Sequence, residues 1–141
     1  MSDALYHKAI LDLARAATGA GQLDQADGRA TIHNPLCGDR VTVEVAVSSG
    51  QITALAHKVR GCVLCEAAAA AIGAHAVGET ASALRQAATA LDAMLEHGAP
   101  APAIWHGALA AFQPVTAVKS RHDCVLLPFQ ALVEALGKAG T

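Results

Sequence analysis

"RVTVEVAVSSGQITALAHKVR", Arg40 to Arg60, holds two period-two runs on either side of Ser-Ser-Gly. In the first, Val41, Val43, Val45 and Val47 alternate with Thr42, Glu44 and Ala46. In the second, Ile52, Ala54, Ala56 and Lys58 fall on one face and Thr53, Leu55, His57 and Val59 on the other. Such alternation, rich in β-branched residues, specifies strands with distinct faces. The expectation is a hairpin of Arg40–Val47 paired with Gln51–Arg60. "GRATIH", Gly28 to His33, is a third candidate strand, and "HNPLCGDR" links it to the hairpin.

On either side of this block the pattern becomes helical. Tyr6, Ile10, Leu13 and Ala17 recur at helical spacing, which predicts a helix over Asp3–Ala17 capped by Ser2 or Asp3. "TGAGQLDQADG" is turn-rich. Beyond Gly61, Cys62–Val77 is an expected helix that stops near Gly78. Thr80 caps the next, whose stripe is Leu84, Ala88, Leu91 and Leu95 and whose stop is Gly98. "APAPA" is a linker, Ala103–Phe112 a short helix, and the last helix carries Val125, Phe129, Leu132 and Leu136 to Gly137. Pro128 is expected to keep that helix from beginning much before Cys124. Strands followed by helices make an α+β pattern.

The chain has 141 residues, read as a single domain over residues 1–141, and is 53% hydrophobic, enough for a core without staples. A formal charge of −2 gives no basic footprint for nucleic acid, and one Trp, one Tyr and two Phe are too few for base stacking. "AAAAAIGAHAV" is too short and too alanine-rich for a membrane span. "MSDALYHKAI" lacks the order of a signal peptide, so the expected location is cytoplasmic, with no nucleic-acid or membrane partner. Thiols stay reduced there, and four cysteines point to metal binding or catalysis.

Those cysteines are Cys37, Cys62, Cys65 and Cys124. The Pro, Gly and Asp around Cys37 make poor core. Cys62 stands at a strand-to-helix junction, and Cys124 stands at the start of the last helix. Helix N-termini favour thiolate, the form that binds metal and attacks sulfur. Asp39 with Cys37, Cys62 and Cys124 would make a three-sulfur, one-oxygen set, which zinc accepts. Iron–sulfur clusters use mostly cysteine, and a non-cysteine ligand suits a cluster that must leave. Asp39 is equally readable as a turn-capping residue. Cys65, on about the same helix face as Cys62, is a secondary candidate that ligates, relays sulfur or packs.

"NPLCGDRVTVEV", "VRGCVLCEAAAA" and "SRHDC" before a terminal helix resemble the U-type iron–sulfur cluster scaffolds: SufU, IscU and the NifU N-terminal domain. The likeness runs from about Ala4 to Leu136. It implies a three-stranded antiparallel sheet with helices packed on one side. It also implies one metal or cluster site made by Cys37, Asp39, Cys62 and Cys124, and Arg121 matches the family's basic residue before the last cysteine. The long stretch before Cys124, the absence of Leu-Pro-Pro-Val-Lys, and Asp123 in place of a histidine directly before Cys124 favour the SufU-like branch. Two departures stand out: Cys65 replaces the family's usual small residue, often serine, and Pro128-Phe129 replaces Ala-Trp, a packing change.

The resemblance implies a scaffold that builds a [2Fe–2S] cluster on Cys37, Cys62 and Cys124 and passes it to apo iron–sulfur proteins. The alternative on the same residues is a zinc-dependent sulfurtransferase taking persulfide sulfur from a SufS-like cysteine desulfurase. Cys124 is then the acceptor, and Arg121 favours its thiolate. A purely structural zinc domain is the third reading; it does not explain cysteines at exposed junctions. His7, His75 and His97 are expected on exposed helix faces, and His57 and His106 as structural or solvated. His33 and Glu66 are given no role.

Overall fold

The structure, a computed structural model, describes residues 7–36 and 38–141. Its elements are α1 (Lys8–Ala16), β1 (Gly28–His33), β2 (Arg40–Ser48), β3 (Gln51–Arg60), α2 (Val63–His75) and α3 (Ala81–His97). Two 3-10 segments follow, Ile104–Ala117 and Lys119–Arg121, and then α4 (His122–Lys138).

The strands form one antiparallel sheet in the order β1-β2-β3. β1 and β2 pair from Gly28 opposite Val45 to His33 opposite Arg40. β2 and β3 pair from Arg40 opposite Arg60 to Ser48 opposite Gln51, with a bulge at Ala46/Val47. Val41, Val43 and Val45 are fully buried on one face. α4 packs across β1 and β2 there, and α2 packs against β3. On the other face Thr31 and Thr42 share an exposed hydroxyl hydrogen bond of 2.8 Å. Glu44 is buried, accepting from the Leu23 N–H at 2.7 Å and from Arg29 Nε at 3.2 Å. This is the α+β sheet with helices on one side.

α2 lies between α1 and α4, and its Ala67–Ala71 run is wholly buried. Small side chains let three helices approach closely, so the alanine run is a packing surface. Thr80 caps α3 by accepting from the Ala83 N–H at 3.1 Å, and Gly98 ends it with a φ of 69°. Leu84, Leu91 and Leu95 of its stripe are buried, while Ala88 is half-buried.

Several boundaries differ from the pattern. The expected caps Ser2 and Asp3 lie outside the described residues. The described helix starts at Lys8, capped by His7, whose Nδ1 accepts from the Ala9 N–H at 3.2 Å. His7 Nε2 donates to the Ala111 carbonyl at 2.8 Å, so this ring is half-buried instead of exposed. α2 ends at His75, two residues short of Val77. His75 is also half-buried, because it stacks on Trp105 with ring centroids 5.4 Å apart.

The short helix expected over Ala103–Phe112 is a 3-10 segment reaching Ala117. Its first turn is left-handed at Trp105, His106 and Gly107, with φ of 62°, 56° and 76°. Left-handed backbone costs a non-glycine residue about 1–2 kcal/mol. Burial of Trp105 against His75 and Phe129 offsets that cost. α4 begins at His122, two residues before Cys124, so Cys124 lies in its first turn as expected, and it continues one residue past Gly137. Pro128 sits inside the helix and offers no N–H to the Cys124 carbonyl. The unbroken buried run Cys124–Phe129 offsets that loss.

Gly73 shows how tight the helix contacts are. A Cβ there would stand 1.9 Å from the Thr18 carbonyl oxygen, in the turn after α1. Gly73→Ala should destabilise the protein by about 1–3 kcal/mol by forcing α1 and its turn away from α2. Chemical denaturation would check this. Stability equal to wild type would mean that the turn shifts freely.

Candidate metal and sulfur site

Three chain segments meet at one end of the sheet. The first is the loop between β1 and β2. The Asn34 N–H donates to the Asp39 carbonyl at 2.8 Å, carrying the β1–β2 ladder one pair beyond His33–Arg40. The Gly38 N–H donates to the Asn34 carbonyl at 2.8 Å, with Gly38 at a φ of 78°. Asn34 Oδ1 accepts from the Leu36 N–H at 2.9 Å, an Asx turn that orders the chain around Pro35. The loop therefore places the Asp39 carboxylate inward, 6% exposed, and leaves Leu36 outward, 93% exposed. Cys37 lies outside the described residues.

The second segment is the β3–α2 junction, where Cys62 is the N-cap of α2 with extended backbone. The third is the first turn of α4, which carries Cys124. The donor atoms of Asp39, Cys62 and Cys124 all lie within 4.8 Å of one another. Asp39 Oδ2 is buried and has no hydrogen-bond partner among the described residues. A buried carboxylate oxygen is costly to leave unsatisfied, and two sulfurs stand beside this carboxylate. A hard oxygen and soft thiolates on one small pocket fit a zinc ion, which the chain would hold by Asp39, Cys62 and Cys124.

Charge in the site is unequally shared. Cys62 is held down to about 6, chiefly because the Cys124 thiol hydrogen-bonds to its sulfur. The Cys65 and Leu64 N–H groups of the exposed helix end act in the same sense. Burial and the Asp39 charge oppose them and lose. Cys62 makes no capping hydrogen bond of ordinary geometry, so these amides act as oriented dipoles at close range. Cys124 is pushed up, first because it donates to Cys62, then by burial, against the lowering hydrogen bond from Arg121. The pair thus holds one thiolate, on Cys62, and one thiol, on Cys124.

Cys65 is set apart from this group. It is 0% exposed, packed in the core below the first turn of α2. No disulfide links Cys62, Cys65 and Cys124. His122 turns away from the site. Its ring lies 3.1 Å from Glu96 Oε1 on one nitrogen, and the other nitrogen donates to the Thr116 carbonyl at 3.1 Å. His57 is buried, donates from Nε2 to the Thr18 carbonyl at 2.8 Å, and is lowered by burial against that raising hydrogen bond. It belongs to the turn after α1, away from the thiols.

One contributor is not evident from motif reading. A Cβ on Gly61 would stand 2.9 Å from Asp39 Cγ and 3.0 Å from its Oδ1. Gly61 has no positive φ, so its role is space, and glycine directly before Cys62 was the available signal. Gly61→Ala should displace the carboxylate and weaken zinc binding by about tenfold or more while the fold is retained; titration calorimetry with circular dichroism would measure both. Native affinity would show that Asp39 adds little. In metal-free protein, alkylation of Cys62 should keep its plateau rate as pH falls from 8 and halve near pH 6. Thiolate reacts, and a lowered pKa keeps it populated down to that value. Peptide mapping across pH would test it, and a midpoint near 9 would contradict the charge arrangement.

Residues 5–124 match the family model described as the NifU-like N terminal domain. Two curated relatives, iron-sulfur cluster assembly scaffold proteins IscU 1 and IscU 2 of Archaeoglobus fulgidus, are each 28% identical over 76 residues, 54% of this chain and 50% of theirs. The chain therefore spans about half the length of the curated relatives it matches. The crystal structure of a nitrogen-fixing NifU-like protein (N-terminal) from Brucella abortus superposes with a TM-score of 0.94 at 36% identity, covering 98% of this chain and 96% of that one. A putative iron-sulfur cluster assembly scaffold protein for the SUF system from Fervidobacterium islandicum shares the fold, with a TM-score of 0.87 at 23% identity over 96% of this chain and 99% of the other. With the family model spanning most of the residues and one solved relative matching nearly end to end, this chain belongs to the NifU-like N-terminal domain family of U-type iron–sulfur cluster assembly scaffolds.

Proposed function

We propose that this protein is an iron–sulfur cluster assembly scaffold that takes a [2Fe–2S] cluster or its precursors as cargo on Cys37, Cys62 and Cys124 with Asp39. The observation that carries the reading is the buried Asp39 carboxylate, one oxygen of which lies with the Cys62 and Cys124 sulfurs in a group whose atoms are all within 4.8 Å of one another. An oxygen ligand is more exchangeable than sulfur on soft iron, which suits cargo that must leave. The proposed recipients are apo iron–sulfur proteins. The proposed sulfur source is a cysteine desulfurase of the SufS-like class.

A second reading has its own support. Cys62 is poised as a thiolate, and Arg121 hydrogen-bonds Cys124 beside it. In a zinc-dependent sulfurtransferase with Cys124 as the persulfide acceptor, the Cys124 proton would first pass to Cys62 across their hydrogen bond, leaving Arg121 to stabilise the negative Cys124 sulfur. Bound zinc would supply a Lewis-acidic centre that keeps the thiolates ordered. The chain's own part is to present Cys124 on the first turn of α4, with Asp39 an oxygen donor that yields readily. The SufU-like reading of the stretch before Cys124 goes with this alternative.

Metal, acid-labile sulfide and the visible spectrum of anaerobically purified protein decide between the two. Iron with sulfide and a brown colour is expected for the scaffold; colourless stoichiometric zinc favours the sulfurtransferase. Cys37→Ser, Cys62→Ser and Cys124→Ser should each lower the bound metal severely, whereas Asp39→Ala should keep the load and slow its transfer to a recipient. Near-stoichiometric metal at native affinity in all three cysteine variants would reject the site.

A further inference from the structure

Charge on the open face of the sheet changes along the strands. Far from the cysteines, Arg29 stands opposite Glu44 and pairs with it at 3.2 Å. In the next row on this face Thr31 and Thr42 share their hydroxyl hydrogen bond, and Lys58 donates to Gln22 Oε1 at 2.9 Å. The last row, at the site end, is His33 on β1, Arg40 on β2 and Arg60 on β3, each directly opposite the next. All three are exposed. Among the described residues, neither Arg40 nor Arg60 is engaged by an ion pair or a side-chain hydrogen bond.

Like charges directly opposite on a sheet face destabilise it. Charge on an edge strand keeps sheets from pairing with each other, but Arg40 is on the middle strand. Neither pairing nor edge protection therefore accounts for two arginines that face each other. Their place does. Arg40 directly follows Asp39, and Gly61 alone separates Arg60 from Cys62. His33 and Arg40 also flank the loop that carries Leu36, 93% exposed. A bare leucine beside two arginines supplies the parts of a docking surface, an apolar centre and a charged rim. The whole chain carries −2, so the attraction is local. Binders of a phosphate backbone commonly use about 6–10 basic contacts, which this row does not offer. Carboxylates fit it, because a guanidinium holds them through two parallel N–H donors.

We propose that Arg40 and Arg60, with Leu36, dock the protein that takes the cargo: an apo iron–sulfur protein with carboxylates and an apolar depression around its cysteine ligands. The inference rests on the scaffold reading above and names the surface and the chemistry of its partner. A recipient has to bring its own cysteines to the end of the sheet. It must be held there by residues that border the site and do not ligate, and Leu36, Arg40 and Arg60 are such residues. A sulfur donor delivers one atom from one side chain. A recipient instead presents several thiols that become thiolates as they ligate, so negative charge builds on its side of the contact. The basic row is complementary to that charge and to the carboxylates around it.

The test titrates the full chain, as purified, with the apo form of a [2Fe–2S] ferredoxin of strongly negative net charge. Calorimetry reads binding from low salt to about 1 M, where the screening length is about 3 Å. Arg40→Glu/Arg60→Glu should weaken binding at least about tenfold at low salt, and the difference should vanish at high salt. Arg40→Gln/Arg60→Gln should weaken it in the same direction while thermal stability stays level or rises, because a like-charge pair is removed. Leu36→Ser should cost about tenfold at every salt concentration. Lys8→Glu/Arg15→Glu, the same change of charge placed on α1, should bind as wild type does. The inference is overturned by unchanged binding in the charge-reversed sheet variant, by an equal loss in the α1 variant, by a marked loss of stability in the glutamine variant, or by a short DNA duplex held as tightly as the ferredoxin. Iron and acid-labile sulfide are measured on the chain alone. A chain that never takes a cluster defeats the scaffold reading, whereas a loaded chain whose sheet variants still bind the ferredoxin normally defeats only the docking surface.

Discussion

Asp39 and the Cys62 thiolate are two negative groups within 4.8 Å of each other, and Asp39 is buried. At that separation or less, their repulsion is at least about 3.5 kcal/mol at an effective dielectric of 20. The compensating groups come from two parts of the chain. The first amides of α2 face the Cys62 sulfur locally, while the Cys124 thiol donates to Cys62 and Arg121 acts on Cys124, both from the start of α4. The α4 contributions are available only once α4 is docked beside the β3–α2 junction. The core behind the site therefore sets its electrostatics: α4 lies across β1 and β2 while α2 is held against β3, fixing three element ends at one corner. A cation entering this corner would relieve the repulsion.

Close approach is the second constraint. Ala67–Ala71 lets α2 sit between two helices, Gly73 lets the turn after α1 touch α2, and Gly61 makes room for the Asp39 carboxylate. In all three the contribution is an absent side chain. An alanine-rich stretch with little amphipathic contrast has no obvious inner face in the sequence, because this helix is buried nearly all round.

The strands, the α3 caps and the places of Cys62 and Cys124 at helix starts were legible because each rests on a local rule. Alternating valines pair, threonine caps, and glycine at positive φ stops a helix. What the residues alone did not disclose was non-local. His7 and His75 look like exposed helix residues until Ala111 and Trp105 arrive from far along the chain. The left-handed turn at Trp105 and His106 contradicts local preference and persists because the indole is buried. Pro128 bounds the start of α4 near Cys124, and the buried run beginning there outweighs the one missing hydrogen bond. The resemblance supplied the grouping of Asp39 with the cysteines; composition and spacing alone left Asp39 open as a turn residue.

The tetrapeptide Arg121-His122-Asp123-Cys124 shows how one turn of chain serves three directions. Arg121 reaches Cys124. His122 is buried on another side, tied to Thr116 and Glu96, so it joins the start of α4 to α3 and to the 3-10 segment. Asp123 faces the groove between α3 and α4 with Glu96, Leu126 and Phe129. Cys124 faces the site. Successive helical residues are separated by about 100°, so Cys124 and Arg121 share a face while His122 does not. His122 is thus a structural anchor, and an oxygen of Asp39 is the non-sulfur donor among the described residues of this group.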